Sequence, residues 1–286
     1  MEPKLISIII PTYNAEKSIE RCIRSIQDEK VEIIVVLDGP TDQTEAVCEK
    51  LAKEDSRIQL IKQENQGSFQ ARKNGIEKAN GNYLMFLDSD DAYLPETMPT
   101  VRMLIESYHE PDVIRFRYRK EPEGYEQYRY LEDGKEERYL SKEDFKNTIY
   151  PMILDGYQFN SLWCNCVKRE LLKNQAMERI PVERYGEDLF VNLEIYTKMQ
   201  NMVLTEKVLY QYITNPQSAT QTRNVSKLFT HLQDSIQIYS SFYTYLTKWD
   251  MNTEEYQEKV GKRLKKETDR LIQLIQEGIE KKEEGK

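Results

Sequence analysis

The sequence predicts an α/β fold, a mostly parallel sheet flanked by helices and followed by a C-terminal helical extension, from three observations. Short apolar runs at Leu5 to Ile10, Glu32 to Leu37, Arg57 to Lys62 and Asn82 to Leu87 alternate with helical patterns. Strands alternating with helices imply parallel pairing and right-handed crossovers. The runs are largely apolar, as expected of strands buried on both faces. From Ser226 onward the pattern is helical only.

The first strand, Leu5 to Ile10, is closed by Pro11, and Asn14 is placed to cap the next helix. In that helix Ile19, Cys22, Ile23 and Ile26 recur at i, i+3, i+4, i+7 and form one sheet-facing stripe. The second strand runs into the turn Asp38-Gly39-Pro40-Thr41-Asp42, whose Asp42 pairs with Glu45 as a capping pair for the helix bearing Val47, Cys48 and Leu51. Gly67 opens a third helix that ends at Asn80-Gly81. The loops after Ile10, Leu37 and Leu87 should therefore meet on one edge of the sheet.

The strand Asn82 to Leu87 organises the chain, because it stops in Asp88, Asp90 and Asp91. Carboxylates this crowded repel unless a cation lies between them, and a hard divalent ion completed by substrate phosphates resolves the repulsion. An acidic turn capping the next helix is the plainer alternative. A calcium loop is excluded, since its Gly and Glu positions counted from Asp88 are Tyr93 and Pro99. Neither G-x-G-x-x-G nor G-x-x-x-x-G-K-[ST] occurs, so nucleotide recognition would have to use loop side chains.

The 286 residues are enough for a full core, and 39% hydrophobic with 31% charged content describes a surface dense in both signs. Mean hydropathy is −0.74. A net charge of −8 argues against a nucleic-acid partner. No apolar run is long enough for a transmembrane segment, and the N-terminus lacks a signal-peptide pattern. A cytoplasmic protein is expected, with peripheral contact at the inner face of the membrane left open. Cys22, Cys48, Cys164 and Cys166 lack zinc or disulfide spacing and read as buried hydrophobes. His109 and His231 lie near no motif, which leaves a carboxylate as general base.

The stretches Ser7-Ile8-Ile9-Ile10-Pro11-Thr12-Tyr13-Asn14, Leu37-Asp38-Gly39-Pro40-Thr41-Asp42, Asn65-Gln66-Gly67, Ala71-Arg72 and Phe86-Leu87-Asp88-Ser89-Asp90-Asp91 resemble family 2 glycosyltransferases of the bacterial, inverting type. That family has the GT-A fold, a Rossmann-like sheet. A weaker resemblance runs on through Trp163, Glu187-Asp188-Leu189, Tyr210-x-Tyr212 and Ser218. The implied organisation is a GT-A domain over 1–220, divided into a nucleotide-sugar half (1–95) and an acceptor half (96–220), with a helical region at 221–286.

The resemblance implies that Pro11, Thr12 and Tyr13 line a base and ribose pocket and that Asp38 hydrogen-bonds the uracil edge. Arg72, Lys73 and Ser89 join the donor site. Asp90 would ligate Mn²⁺ or Mg²⁺ on the diphosphate, with Asp88 toward the ribose or the metal. Three positions depart from the family pattern. Leu37 replaces an acid, Arg72-Lys73-Asn74-Gly75 replaces Arg-Asn-x-Gly, and Asn165 replaces a Lys after Trp163.

The implied activity is metal-dependent, inverting transfer from a nucleotide-diphosphate sugar, chiefly a UDP-sugar, to a hydroxyl of a glycan, glycolipid or glycoprotein. Asp188 is the candidate base, with Glu187 beside it. An acid pair favoured by a helix N-terminus is the plainer reading of those two. The competing function is a nucleotide-sugar-binding protein that has lost turnover. A phosphatase of the haloacid dehalogenase pattern is discounted, because Ala92 stands where Thr or Val is needed.

Met98, Val101, Leu104, Ile105 and Tyr108 read as a core stripe. Arg115, Arg117 and Arg119 alternate with Ile114, Phe116 and Tyr118, which suggests either a basic face toward phosphate or a solvated face paired with local Glu. Residues 119–139 read as an exposed hairpin or loop, and Tyr125, Tyr128 and Tyr130 are either sugar-stacking rings or ordinary surface aromatics. In the C-terminal region Leu228, Leu232, Ile236 and Tyr239 form one stripe, and Val260, Leu264, Leu271, Ile275 and Ile279 another. Packing on the domain or in a homo-oligomer is expected of them.

Overall fold

The computed structural model describes residues 5–131, 133–156, 159–172, 186–214 and 224–284, with side chains described up to 280. The first half contains β1 (Ile6–Thr12), α1 (Ile19–Arg24), β2 (Val31–Asp38), α2 (Thr44–Glu54), β3 (Ile58–Gln63), α3 (Ser68–Lys78), β4 (Tyr83–Phe86), β5 (Ala92–Tyr93) and α4 (Thr97–Ser107). There follow β6 (Val113–Glu121), β7 (Tyr125–Glu126), β8 (Glu137–Ser141), α5 (Lys142–Asp155), β9 (Asn165–Lys168), α6 (Glu187–Lys198), β10 (Asn201–Ile213), α7 (Val225–Lys248) and α8 (Glu254–Glu284).

The strands form one sheet in the order β3-β2-β1-β4-β9-β6-β10-β5, with β7 on β6 and β8 on β10. The β3-β2-β1-β4 part is parallel throughout. Beyond it the sheet is mixed, because β9 inserts antiparallel between β4 and β6. Pro11 is accommodated inside β1 because it lies past Ile9↔Phe86, the last pair with β4, where no ladder bond needs its missing N–H.

Alternate residues of the central strands enter different cores. Ile9, Val36, Leu84 and Phe86 pack beneath α3 and α6, whereas Ile8, Ile10, Val35, Leu37 and Met85 pack beneath α1, α2 and α4. Burial on both faces explains the unbroken apolar runs. It also explains Leu37: its side chain is turned into the second core, where a carboxylate would be buried. All four cysteines are buried and free. The α4 stripe packs as the sequence predicts, with Met98, Val101, Leu104 and Ile105 buried.

Several local expectations are corrected. Asn14 does not cap α1; it adopts a left-handed φ and its Oδ1 accepts from the Thr41 N–H at 2.8 Å, linking the loops after β1 and β2. Glu45 does not complete a capping box, since Lys62 takes it; Asp42 instead accepts from the Thr44 N–H at 2.9 Å. Helix α3 ends with Ala79 extended rather than on Asn80-Gly81.

Of the arginine row of β6, Arg119 keeps the expected partly exposed place beside a local acid, Glu121 (3.1 Å), whereas Arg115 and Arg117 turn inward. Arg115 is 0% exposed, donating to Asn165 Oδ1 (2.9 Å) and Tyr196 Oη (3.2 Å), with its guanidinium over the Phe159 ring. Arg117 is buried on the carbonyls of Gln127 and Glu206. Tyr196 of α6, Phe159 and the 127–130 segment cover these two arginines, so the alternation at Arg115 and Arg117 marks a second buried layer.

In the C-terminal hairpin the apolar faces turn inward. Leu271 and Ile275 pack on Leu228, and Leu264 packs against the main core. Ile236 is 46% exposed and Ile279 is also exposed, so both leave their expected stripes; Leu228 and Tyr239 are buried as expected, joined by Ile238 and Phe242. Among the described residues no helix is long and apolar enough to cross a membrane.

Candidate functional site

Parallel pairing brings the ends of β1, β2 and β4 to one edge. There Asp38, one residue past Leu37 and so on the opposite face, is buried beneath the start of α3. Its carboxylate accepts from Gln63 Nε2 (2.8 Å), the Gln66 N–H (2.8 Å) and the Gly67 N–H (2.9 Å). The left-handed φ of +61° at Gly39 and the approach of Asn65 N to within 2.8 Å of where a Cβ would be make glycine necessary in this turn. Pro11 and Thr12 are buried at the same edge, and Tyr13 is exposed.

Past β4 the alternation continues, so Asp88 falls on the α3 side after Leu84 and Phe86. Arg72, projecting from α3, donates from Nη2 to Asp88 Oδ1 at 2.8 Å. The same guanidinium meets Glu187 Oε1 at 3.2 Å and Asp188 Oδ1 at 3.1 Å, both on the first turn of α6. Arg72 is only 5% exposed. Its burial works against the charged form, but Asp188, Asp88 and Glu187 outweigh that and raise its pKa. Ser68 Oγ also donates to Glu187 Oε1 (3.0 Å), bringing the N-termini of α3 and α6 together around the acids.

Asp188 is 21% exposed at its side chain, and its Oδ2 accepts from the Leu162 N–H at 3.2 Å. Burial pushes its carboxyl up to about 7, Glu187 and Asp88 add to the shift, and Arg72 and Leu162 oppose it. Gly186, with φ +78°, starts α6 so close to α7 that a Cβ would lie 2.3 Å from Ile238 Cδ1. The C-terminal helices thereby fix the position of the acid pair.

The Asp88-Ser89-Asp90 turn is held from behind. Tyr210 Oη donates to Asp91 Oδ2 at 2.6 Å and accepts from the Asp88 N–H at 3.3 Å, while the Ile213 N–H donates to Asp91 Oδ1 at 2.7 Å. Burial, aided by Asp88 and Asp90, pushes Asp91 up to about 8. Arg21 Nη2 donates to the Asp90 carbonyl at 2.6 Å. Ser89 and the Asp88 and Asp90 side chains remain half-buried.

Two hard carboxylates on one turn suit Mg²⁺ or Mn²⁺, which take one or two protein carboxylates and complete their shell with phosphate and water. Among the described residues no group of three or more His, Cys, Asp or Glu could form an all-protein cage. Asp88 and Asp90 could supply only part of such an ion's shell, the rest falling to phosphate and water.

Beyond Asp188 opens a cleft of about 520 Å³ with Tyr118, Tyr125, Tyr128 and Trp163 on its aromatic side. Gln127, Asn160 and Ser161 supply amide and hydroxyl groups. Trp163 stacks on Tyr210 at 4.3 Å between centroids and meets Tyr118 edge-on at 4.9 Å.

The structure brings Asp88, Arg72, Glu187 and Asp188 together on one guanidinium and sets Asp38 at the same edge. Lys73 does not join them: one position along a helix rotates it by about 100°, and it makes no hydrogen bond or ion pair among the described residues. Tyr130 is buried, its hydroxyl donating to the Phe116 carbonyl at 3.0 Å, so only Tyr125 and Tyr128 of the three tyrosines reach the cleft. Ser218 lies outside the described residues. Sequence reasoning missed the Asp91–Tyr210 support and the polar lining at Gln127, Asn160 and Ser161. Only the abutting of Asp91 on the acidic turn hinted at the first.

The family model described as glycosyl transferase family 2 matches residues 7–174. The chain is 30% identical over 212 residues to glycosyltransferase GlyA of Streptococcus pneumoniae, covering 72% of this chain and 30% of that protein. It is 30% identical over 251 residues to the uncharacterized glycosyltransferase EpsJ of Bacillus subtilis, covering 84% of this chain and 70% of that one. The crystal structure of S. aureus TarS 1–349 in complex with UDP-GlcNAc matches with a TM-score of 0.68 at 21% identity, over 87% of this chain and 70% of that one. That likeness is one of fold, the GT-A arrangement of a central sheet flanked by helices.

Proposed function

The chain belongs to glycosyl transferase family 2, and from that premise we propose that it is a metal-dependent, inverting glycosyltransferase that moves a sugar from a nucleotide-diphosphate sugar, most simply a UDP-sugar, to a hydroxyl of a glycan, glycolipid or glycoprotein. One observation carries the reading: a single buried guanidinium, Arg72, joins an acid of the β4 edge, Asp88, to the α6 pair Glu187 and Asp188, with a cleft opening beyond. A group-transfer enzyme needs such a junction, with leaving-group chemistry on one side and proton acceptance on the other.

Pro11, Thr12 and Tyr13 border the nucleoside, and Asp38 receives the imide N–H of the base. A carboxylate has about four lone-pair sites, so the three loop hydrogen bonds on Asp38 leave capacity for one more. Asp90, with Asp88, would hold a divalent ion, with Ser89 between them, and such an ion would supply charge neutralisation for the departing diphosphate. Asp188 accepts the proton of the acceptor hydroxyl as that oxygen forms its bond to the anomeric carbon, and the diphosphate leaves from the opposite face with the electron pair of the broken bond. Arg72 positions these acids. Glu187 anchors that arginine through its own carboxylate.

The test is a panel of UDP-, GDP- and TDP-sugars assayed for Mn²⁺- or Mg²⁺-dependent donor binding and sugar release. Asp90→Asn should stay folded and lose metal-dependent donor affinity, because a neutral amide is a poor ligand for a hard cation. Donor affinity in Mn²⁺ equal to the parent's would remove the central claim. Donor binding without any turnover across a broad acceptor panel would favour the binding-protein alternative.

A further inference from the structure

We infer that the cleft beside Asp188 takes an uncharged saccharide of at least two rings, one of them stacked on Tyr125 and Tyr128 at the mouth. The inference rests on the transferase reading and deepens it by naming the acceptor class. The β6–β7 hairpin carries Tyr125, paired as Lys120↔Tyr125, out to the rim. Tyr128 follows and is 69% exposed, with the Tyr125 ring beside it. The two rings meet edge to face, 6.0 Å apart at 83°. Such an angled pair offers two flat faces, and the C–H face of a sugar ring packs on these while its rim of hydroxyls stays free.

The interior of the cleft suits those hydroxyls. Gln127 is buried, its side-chain amide 3.0 Å from the Tyr130 hydroxyl, and Asn160 is held by Arg263 Nη2 of α8 at 3.2 Å. Fixed amides and the Ser161 hydroxyl both donate and accept, as an uncharged polyol requires. Among the described lining residues the one charged side chain is the acid Asp188, and Glu187 adjoins it. Arg72 is buried and already committed to these acids, so a phosphate or carboxylate on the acceptor would meet carboxylates rather than a free cation at the cleft surface. The volume of about 520 Å³ lies within the range of about 300–1,000 Å³ usual for small-ligand sites. Tyr125 and Tyr128 stand exposed at the rim while Gln127 is buried, so a ring held on the tyrosines leaves the amides to a second ring.

Trp163 lines the cleft, while Trp249, the other of the two tryptophans, is buried against Tyr150. Tryptophan fluorescence of the full chain is therefore titrated with neutral disaccharides built from glucose, galactose, mannose, N-acetylglucosamine and N-acetylgalactosamine, and with their monosaccharides and 6-phosphates. At least one neutral disaccharide should give a saturable change, with its 6-phosphate and its monosaccharides weaker by about tenfold or more. Tyr125→Ala with Tyr128→Ala should weaken it by about tenfold or more, and Tyr125→Phe with Tyr128→Phe should stay within about threefold. Equal binding of a phosphorylated form, equal binding of a monosaccharide, or parental affinity in the alanine pair overturns the inference. A chain that binds UDP-sugars but no disaccharide overturns it alone, leaving the donor reading standing. Failure to bind either ligand counts against both.

Discussion

The wall of the cleft built from β1, β2, β4 and α3 is charged and over-determined, whereas the wall built from the β6–β7 hairpin and the 159–164 segment is aromatic and open at its rim. On the first, Asp38 takes three hydrogen bonds and Arg72 serves three carboxylates. On the second, Tyr125 and Tyr128 touch each other and stand exposed. Charges near one another must be fixed in place, since each misplaced carboxylate is costly when partly buried. Stacking faces tolerate adjustment, so the second wall can vary while the first is kept. Asp188 lies where the two walls meet.

If that comparison is right, substitutions at the junction should cost most. Asp188→Asn should cut transfer by about 10²- to 10⁴-fold, the scale of general-base catalysis, with donor affinity nearly unchanged. Loss of donor binding with turnover intact at saturation would make Asp188 a binding residue and pass the base role to Glu187. Arg72→Met should destabilise the fold by about 3–5 kcal/mol in urea titrations, because three acids lose their buried counter-charge. A variant as stable as the parent would show that the charged wall is not held by compensation.

The pH profile of transfer is a finer probe. Asp188 must be ionised to accept a proton, and its carboxyl is pushed up to about 7. Transfer should therefore rise about tenfold per pH unit below that value and level off above it. Stability linked to the same group runs the other way. An unfolded Asp ionises near about 3.9, so between about pH 4 and 7 the folded chain keeps a proton that the unfolded chain has lost, and stability from Asp188 falls as pH rises. Asp188→Asn should flatten that slope.

Smaller effects separate support from contact. Tyr210→Phe removes the hydroxyl shared by Asp91 and the Asp88 N–H, and should cost about 0.5–1.5 kcal/mol in thermal or urea unfolding. No change would mean that the acidic turn is rigid without it. Lys73→Ala should leave stability within about 0.5 kcal/mol, and any effect should appear in donor affinity measured by titration.

The sequence by itself determined the parallel half of the sheet and its acidic edge. Apolar runs closed by loop residues are local signals, and a strand that ends in Asp88 and Asp90 delivers both to the sheet edge whatever lies elsewhere. Glu187 and Asp188 at a helix start were equally legible, since Gly186 and the apolar spacing that follows mark that boundary. Tertiary structure alone decided what these acids meet. Arg72, Asp88 and Asp188 are far apart along the chain, and no periodicity encodes that one guanidinium joins them. The arginines of β6 show the same limit: their alternation was plain, but packing against Tyr196, Phe159 and the 127–130 segment turned Arg115 and Arg117 of an expected solvated row inward. The C-terminal helices were read correctly as amphipathic, yet which turns face the core depended on the hairpin angle between α7 and α8. Distant packing fixed the cleft as well, bringing Tyr125 and Tyr128 into one cleft with Asn160 and Ser161, because long-range contacts form between surfaces that no single segment can specify.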